Sequence, residues 1–342
     1  MGNERIGHEI HLKERPVGIP TENSFELVSV SVPNPKEAQF LVRNVWMSVD
    51  PYMRGRMRGA KSYLPSFELN KPLEGDCVGQ IIESKNNRFK VGEYVLSNFG
   101  WREYWISTDG NDVTKIDAKE APIQRYLGVL GRTGLTAYVG LLKIGELKGG
   151  GGNKTVFVSA ASGAVGSVAC QIAKIKGCHV VGSTSSLEKV KWLLDEAGID
   201  YAFNYKVGED NISSELRRVC PNGIDIYFDN VGGGHLEAAL DNMNVFGRIV
   251  LCGMISQYNV DTFSSTRTYS LFLAIRNRLK IQGFIVRDHY DILTEFCTNM
   301  SKWISEGKIK WEETVFEGLE NASKAFIALF KGEKMGKTLV KI

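Results

Sequence analysis

From about residue 126 the chain alternates short β-branched runs with segments of helical period: TVFVSA, then a helix; HVVGST, then SLEKVKWLLDEAG; YAFNY, then a polar helix; GIDIYFDN, then HLEAALDNM; GRIVLCG; and LKIQGFIV. Strands returned through helices at this spacing imply βαβ crossovers, which pack as a parallel sheet with helices on both faces. Before this point the texture is strand-like, with FELVSVSV and FLVRNVWMSV separated by Pro, Gly and Asn turns, as in an irregular β domain. After Val286, YDILTEFCTNMSKWISEG reads as a helix and IKWEETVF as a strand, followed by another helix and a last strand, KTLVKI. A length of 342 residues suits two such domains.

The formal charge of +3 arises from 42 basic and 39 acidic residues spread along the chain, without the one-sided block that marks a nucleic-acid or anionic-membrane binder. Cys77, Cys170, Cys178, Cys220, Cys252 and Cys297 show neither a C-x-x-C pair nor metal-ligand spacing, and read as small core residues of a reducing compartment. The polar start MGNERIGHEIHLKERP lacks the apolar core of a secretory signal, and no apolar run approaches a membrane span. A soluble cytoplasmic protein is the expectation. Gly2 does not meet the myristoylation pattern, because Ile6 stands where Ser or Thr is required.

The stretch VFVSAASGAVG at 156–166 feeds a β-branched run through small residues into a helix. Backbone N–H groups at such a helix start face outward, and the macrodipole there favours an anion, so the turn is a pyrophosphate seat. Its spacing is Ala160-x-x-Gly163-x-x-Gly166, with alanine near the place of the first glycine of the common G-x-G-x-x-G pattern. NAD enzymes place Asp or Glu about 20 residues further on to hold a ribose hydroxyl. Here Gly182-Ser-Thr-Ser-Ser186 has no acid, while Lys189, Tyr205 and Lys206 lie close in sequence. Hydroxyls and a cation suit a 2′-phosphate, which points to NADP(H).

The motifs SVDPYMRGRM, LGVLGRTGLTAY, AASGAVGSVACQIAKIKG, FNYK, YFDNVGG, CGMISQYN, QGFIV and GLENASKAFIALFKGEKMGKTLVKI follow one another nearly end to end. In this order they resemble the zinc-independent medium-chain dehydrogenases/reductases, in the group of prostaglandin reductases, leukotriene B4 dehydrogenases and alkenal double-bond reductases that includes bacterial curcumin reductase. The resemblance implies a chaperonin-10 (GroES)-like catalytic domain at 1–127 and 288–342, a Rossmann NADP-binding domain at 128–287, and a homodimer. It further implies NADPH-dependent reduction of a carbon–carbon double bond conjugated to a carbonyl. By motif, Ser162, Gly163, Ala164 and Val165 would hold the pyrophosphate, and Lys189 and Tyr205 the 2′-phosphate. Asn230, the segment with Cys252, Gly253, Ser256 and Tyr258, and Phe284, Ile285 and Val286 would line the ribose and nicotinamide. Two positions depart from the family: Arg132-Thr133 stand in place of Met-Pro near the expected substrate cleft, and Lys334 in place of an Asn that contacts cofactor. Lys334 could take over that contact.

A zinc alcohol dehydrogenase needs a Gly-His-Glu segment and a four-cysteine lobe, but the corresponding region reads PLEGDCVGQIIES. No tyrosine has lysine four residues later, as short-chain dehydrogenases require. Alkene reduction needs less: hydride at the β-carbon of an enone leaves an enolate that wants a hydrogen-bond donor and a proton. Tyr258 is the candidate donor, with an aromatic wall as its plainer role. Tyr52 is the second candidate, either shaping the pocket or only packing. Arg132 would hold a substrate carboxylate or pair with an acidic neighbour. The five histidines form no metal spacing. An NADPH quinone reductase and a non-catalytic NADPH-binding redox sensor are the competing readings.

Overall fold

The computed structural model describes residues 5–150, 152–207, 212–260 and 271–342, so Gly2 lies outside the described residues. The chain forms two units: Met1–Leu127 with Glu313–Lys334 and Thr338–Ile342, and Gly128–Glu312 with Met335–Lys337.

The first unit is β-rich. An antiparallel pair, β1 (Arg5–Leu12) and β2 (Phe25–Val32), accompanies a sheet begun by β3 (Phe40–Ser48), β4 (Cys77–Ser84), β5 (Tyr94–Ser97), β6 (Tyr104–Ser107) and β7 (Thr114–Ile116). The short helix α1 (Met53–Arg56) follows Tyr52. Buried Arg54 and Arg56 anchor it by donating to the carbonyls of Pro16, Gly18 and Pro65.

The second unit begins with α2 (Arg132–Tyr138) and then alternates. Its parallel strands are β8 (Thr155–Val158), β9 (His179–Thr184), β10 (Tyr201–Asn204), β11 (Ile224–Asp229), β12 (Met243–Leu251) and β13 (Lys280–Gly283), in the order β10-β9-β8-β11-β12-β13. The intervening helices are α3 (Gly166–Ile175), α4 (Leu187–Asp195), α5 (Ile212–Val219), α6 (Gly233–Asn242) and α7 (Leu271–Asn277). Side chains alternate across a strand, so Val156 and Val158 of β8 join one core with α3 and α4, while Phe157 joins the other with α5 and α6. Each fully buried Val or Phe contributes about 1.5–3 kcal/mol, and both faces of this sheet are covered. The parallel sheet read from the alternation, and the Rossmann architecture that the resemblance implies, are what the chain adopts.

One expectation is corrected. The return to the first domain was placed at residue 288, but helix α8 (Leu293–Ser305) buries Phe296, Met300 and Trp303 in the second unit's core. Tyr138 of α2 donates to Glu295 and accepts from Asn299, fastening α8 further. The run IKWEETVF is divided. Gln171, 2% exposed, bonds the backbone of Lys310 in both directions, at 2.7 Å each, and holds that part on α3. Only Glu313–Glu317 becomes strand β14. Helix α9 (Ala322–Lys331) and strand β15 (Lys337–Lys341) complete the first unit, with β15 pairing β3 and β14 outside it.

Between α9 and β15, Gly336 takes φ +67° and its N–H donates to the Ser162 carbonyl at 2.9 Å. A Cβ there would overlap the Glu312 carbonyl, whereas Gly198, at φ +66°, has open space around it. Gly198→Ala should therefore cost about 1 kcal/mol from backbone strain alone. Gly336→Ala should cost at least about 2 kcal/mol more, because the carbonyl must move. Urea unfolding of the two variants beside the parent measures the difference, and equal losses would show that the overlap is relieved without strain.

Candidate functional site

In the order β10-β9-β8-β11-β12-β13 the chain reverses direction of growth between β8 and β11, and ligands of such sheets bind outside the carboxyl ends of the strands at that point. The glycine turn leaves β8 there. Ala160 adopts φ +48°, the left-handed conformation that glycine takes without strain, so alanine occupies a place shaped for the missing glycine. Gly166 packs so close to Ala160 that a Cβ would overlap its carbonyl. Helix α3 therefore starts hard against the turn, and the first N–H groups, at Ala164, Val165 and Gly166, have no partner within the helix's own bonding pattern. This donor set suits a pyrophosphate. Ser162, by contrast, points inward: it is 4% exposed and its hydroxyl meets that of Thr184 at 2.7 Å.

Thr184, the last residue of β9, gathers the second group of expected residues. Its carbonyl accepts the Tyr205 N–H at 3.0 Å, while Ser186 caps α4 and Lys189 lies in the first turn of that helix. Lys189 is 5% exposed and donates to Ser185 Oγ at 3.1 Å. The acid of that turn, Glu188, is exposed. A buried lysine with a hydroxyl beside it suits a phosphate better than a ribose held by a carboxylate. Tyr205 packs edge-on to His235 at 4.9 Å between ring centroids, and partial burial raises its phenol pKa.

The third group lies beyond β11 and β12. Asn230 donates its side-chain amide to the Ser159 carbonyl at 2.7 Å. Cys252 and Gly253 donate their N–H groups to the Asp229 carbonyl at 2.9 and 3.0 Å. Burial pushes the Cys252 thiol up to about 12, so it is no nucleophile. Ser256 spends its hydroxyl on the Val231 carbonyl at 2.6 Å. The Tyr258 hydroxyl accepts the Met254 N–H at 3.3 Å, and that oxygen would stand 3.0 Å from a Cβ on Gly253, so glycine makes room for it. Phe284 and Val286 pack partly buried against the sheet core, with Ile285 between them in extended backbone. The three segments thus gather along one edge of the second unit.

The remaining candidates are placed differently. Arg132 opens α2, which packs on the segment 286–292. Tyr52 packs against the first unit's core, and Lys334 lies over the Phe316 ring at 5.3 Å. Sequence reasoning passed over Asp229, whose carboxylate is fully buried at the end of β11. The polarity of YFDN at a strand end was its only signal. It also passed over His235, 4% exposed and held neutral by burial, with its pKa pushed down to about 4.

His235 carries a pH consequence. The unfolded chain binds a proton near 6.5 that the folded chain refuses until about 4. Stability therefore falls as pH drops through that window, by about 1.4 kcal/mol per unit, and this contribution is constant below it. His235→Gln should lose about 2 kcal/mol less than the parent between pH 7 and 4.5 in urea unfolding. Parallel pH curves would show that His235 does not stay neutral.

Residues 8–116 match a family model described as an N-terminal domain of oxidoreductase, and residues 164–305 one described as a zinc-binding dehydrogenase. Despite that second description, no group of three or more His, Cys, Asp or Glu among the described residues is placed to hold a metal ion, and buried Cys77 bonds Ser97. The chain is 41% identical over 346 residues to a 2-alkenal reductase (NADP(+)-dependent) of Nicotiana tabacum, covering 100% of this chain and 99% of that one. It is 38% identical to the NADPH-dependent curcumin reductase of Escherichia coli, over 97% and 95% of the two chains. The crystal structure of CurA in complex with NADPH, from Vibrio vulnificus, superposes with a TM-score of 0.92 at 41% identity, over 98% of both chains. With both domains matched in order and relatives aligned over nearly their whole length, the chain belongs to the medium-chain dehydrogenase/reductase family, in the group of the alkenal and curcumin reductases.

Proposed function

We propose that the chain reduces the carbon–carbon double bond of α,β-unsaturated ketones and aldehydes with NADPH. The observation that carries the cofactor half is buried Lys189 in the first turn of α4, just beyond a strand β9 whose tip, 182–186, has no carboxylate. The reaction half is supported by the relatives named as alkenal and curcumin reductases.

The cofactor supplies a hydride to the substrate's β-carbon. What remains for the protein is to bind, orient and stabilise. The N–H groups of Ala164, Val165 and Gly166 bind the pyrophosphate, Gly163 shapes the turn by giving its own N–H to the Ala160 carbonyl, and Ser162 ties the turn to β9. Lys189 and Tyr205 take the 2′-phosphate. Asn230, Cys252, Gly253, Ser256, Phe284, Ile285 and Val286 form the wall toward the nicotinamide, mostly through backbone, and Lys334 adds a cation. Tyr258, whose oxygen accepts the Met254 N–H, donates its hydroxyl hydrogen to the substrate carbonyl. That donor stabilises enolate charge as it develops, and solvent protonates the α-carbon. Tyr52 shapes the substrate pocket, and Arg132 favours substrates with a carboxylate.

We further propose a homodimer in the cytoplasm. All six cysteines are free thiols, as a reducing compartment allows. No helix among the described residues is long and apolar enough to cross a membrane. Among the described residues strand β13 is an edge of the parallel sheet, near exposed Phe246, Leu271, Phe272 and Ile275. An edge strand beside apolar side chains invites pairing with a second copy.

A panel of enones, enals and quinones with NADPH and NADH in parallel tests the reaction. The saturated carbonyl is the expected product; an allylic alcohol alone, or quinone turnover far above enone turnover, would overturn the reading. Tight NADPH binding with no oxidation would indicate a sensor. Lys189→Ala should weaken NADPH binding roughly tenfold to hundredfold and leave NADH unchanged, because one charge-assisted contact is lost. Tyr258→Phe should lower kcat about tenfold to hundredfold at little cost in NADPH affinity. Light scattering should give twice the chain mass, reduced to one by Phe272→Asp.

A further inference from the structure

A single oxygen of Asp229 holds a great deal. Oδ1 accepts the Tyr227 hydroxyl at 2.7 Å, the Ser159 hydroxyl at 3.3 Å, and the N–H groups of Val231 and Gly232 at 2.9 and 2.7 Å. The residue is 0% exposed, and Oδ2 is buried with no partner among the described residues. All of the carboxylate's grip is therefore exerted through one atom. Burial raises its pKa while the four donors oppose that rise.

The two N–H groups belong to successive peptide planes, and both planes are bonded at their far ends as well. The plane that carries the Val231 N–H presents the Asn230 carbonyl, which accepts the Ile255 N–H at 3.3 Å. The plane that carries the Gly232 N–H presents the Val231 carbonyl, which accepts the Ser256 N–H at 3.2 Å and the Ser256 hydroxyl at 2.6 Å. Peptide groups are rigid, so a shift at the N–H end is passed to the carbonyl end. From Ile255 the Tyr258 turn follows directly, since the Tyr258 N–H donates to the Ile255 carbonyl at 3.3 Å. One carboxylate oxygen and two planar groups thus separate a buried acid from the turn that carries the phenol.

We infer that Asp229 is a positioning residue for Tyr258, acting through the Asn230–Val231 and Val231–Gly232 peptide groups and the Ile255–Ser256 segment. This rests on the role proposed above for Tyr258. Asp229 itself touches no substrate. It sets where the phenol oxygen stands, and the Ser159 bond ties that position to the end of β8, from which the pyrophosphate turn departs.

The test is a cycle of Asp229→Ala and Tyr258→Phe in the full chain, with Asp229→Asn as the conservative variant, read as kcat and as the KM for NADPH with one enone. Asp229→Ala should lower kcat about tenfold with the parent Tyr258 and less than about twofold in the Tyr258→Phe background, since residues acting as a unit are not additive. Asp229→Asn keeps an acceptor oxygen and should recover most of the loss. An equal loss in both backgrounds, or no loss, overturns the inference. Amide exchange of Asp229→Asn and, if it folds, Asp229→Ala supplies a second readout that needs no turnover. The Val231, Gly232 and Ser256 amides should exchange at least about tenfold faster in Asp229→Ala, or about threefold faster in Asp229→Asn if the alanine variant does not fold. Unchanged exchange overturns the inference. A parent chain that reduces no enone would sink the functional reading instead, and the exchange result would still decide whether Asp229 holds the Tyr258 turn.

Discussion

Desolvation at the carboxyl end of the parallel sheet sets the terms for everything placed there. Lys189, Asp229 and His235 are all at most 5% exposed, and each resolves the cost of burial differently. Asp229 gathers four donors on one oxygen. His235 gives up its proton. Lys189 donates to the Ser185 hydroxyl at 3.1 Å. A buried charge costs several kcal/mol unless it is met, so a site made this way is organised in advance of its ligand. The protein meets that cost through folding.

Much of this was legible in the residues because the relevant physics is local. The parallel sheet follows from periodicity and the choice of cofactor from a missing acid at 182–186, while the small residues between a strand and a helix mark the turn at which the pyrophosphate is proposed to sit. Ala160 is instructive. Alanine in place of glycine weakens the motif as a pattern, yet the backbone keeps the left-handed turn at φ +48°. The neighbouring packing of Gly166 enforces a conformation that the residue type alone disfavours.

What sequence could not supply was burial and long-range pairing. A lysine in the first turn of a helix looks like any surface lysine until the helix is docked. The division of IKWEETVF depends on Gln171, well over a hundred residues earlier, taking both bonding groups of Lys310. β-propensity saw one strand, and tertiary bonds made it two segments belonging to different units. Asp229 was hidden for a related reason. Its importance lies in which backbone groups converge on it, and convergence leaves no mark on a one-dimensional chain.

The late segment around Gly336 bears on how such a protein is made. The bond from Gly336 to Ser162 and the pairing of β15 with β3 both join residues 336–341 to elements synthesised much earlier. Chains emerge at about 5–20 residues per second, and early elements fold as they appear. The glycine turn must therefore wait through roughly ten seconds or more of translation, on that estimate, before its last backbone bond can form. Until residues 336–341 have left the ribosome, the sheet edge at β3 stays open and Ser162 keeps an unmet carbonyl. During that interval the nascent chain carries an unpaired strand edge, the feature of a sheet most prone to pair with another chain.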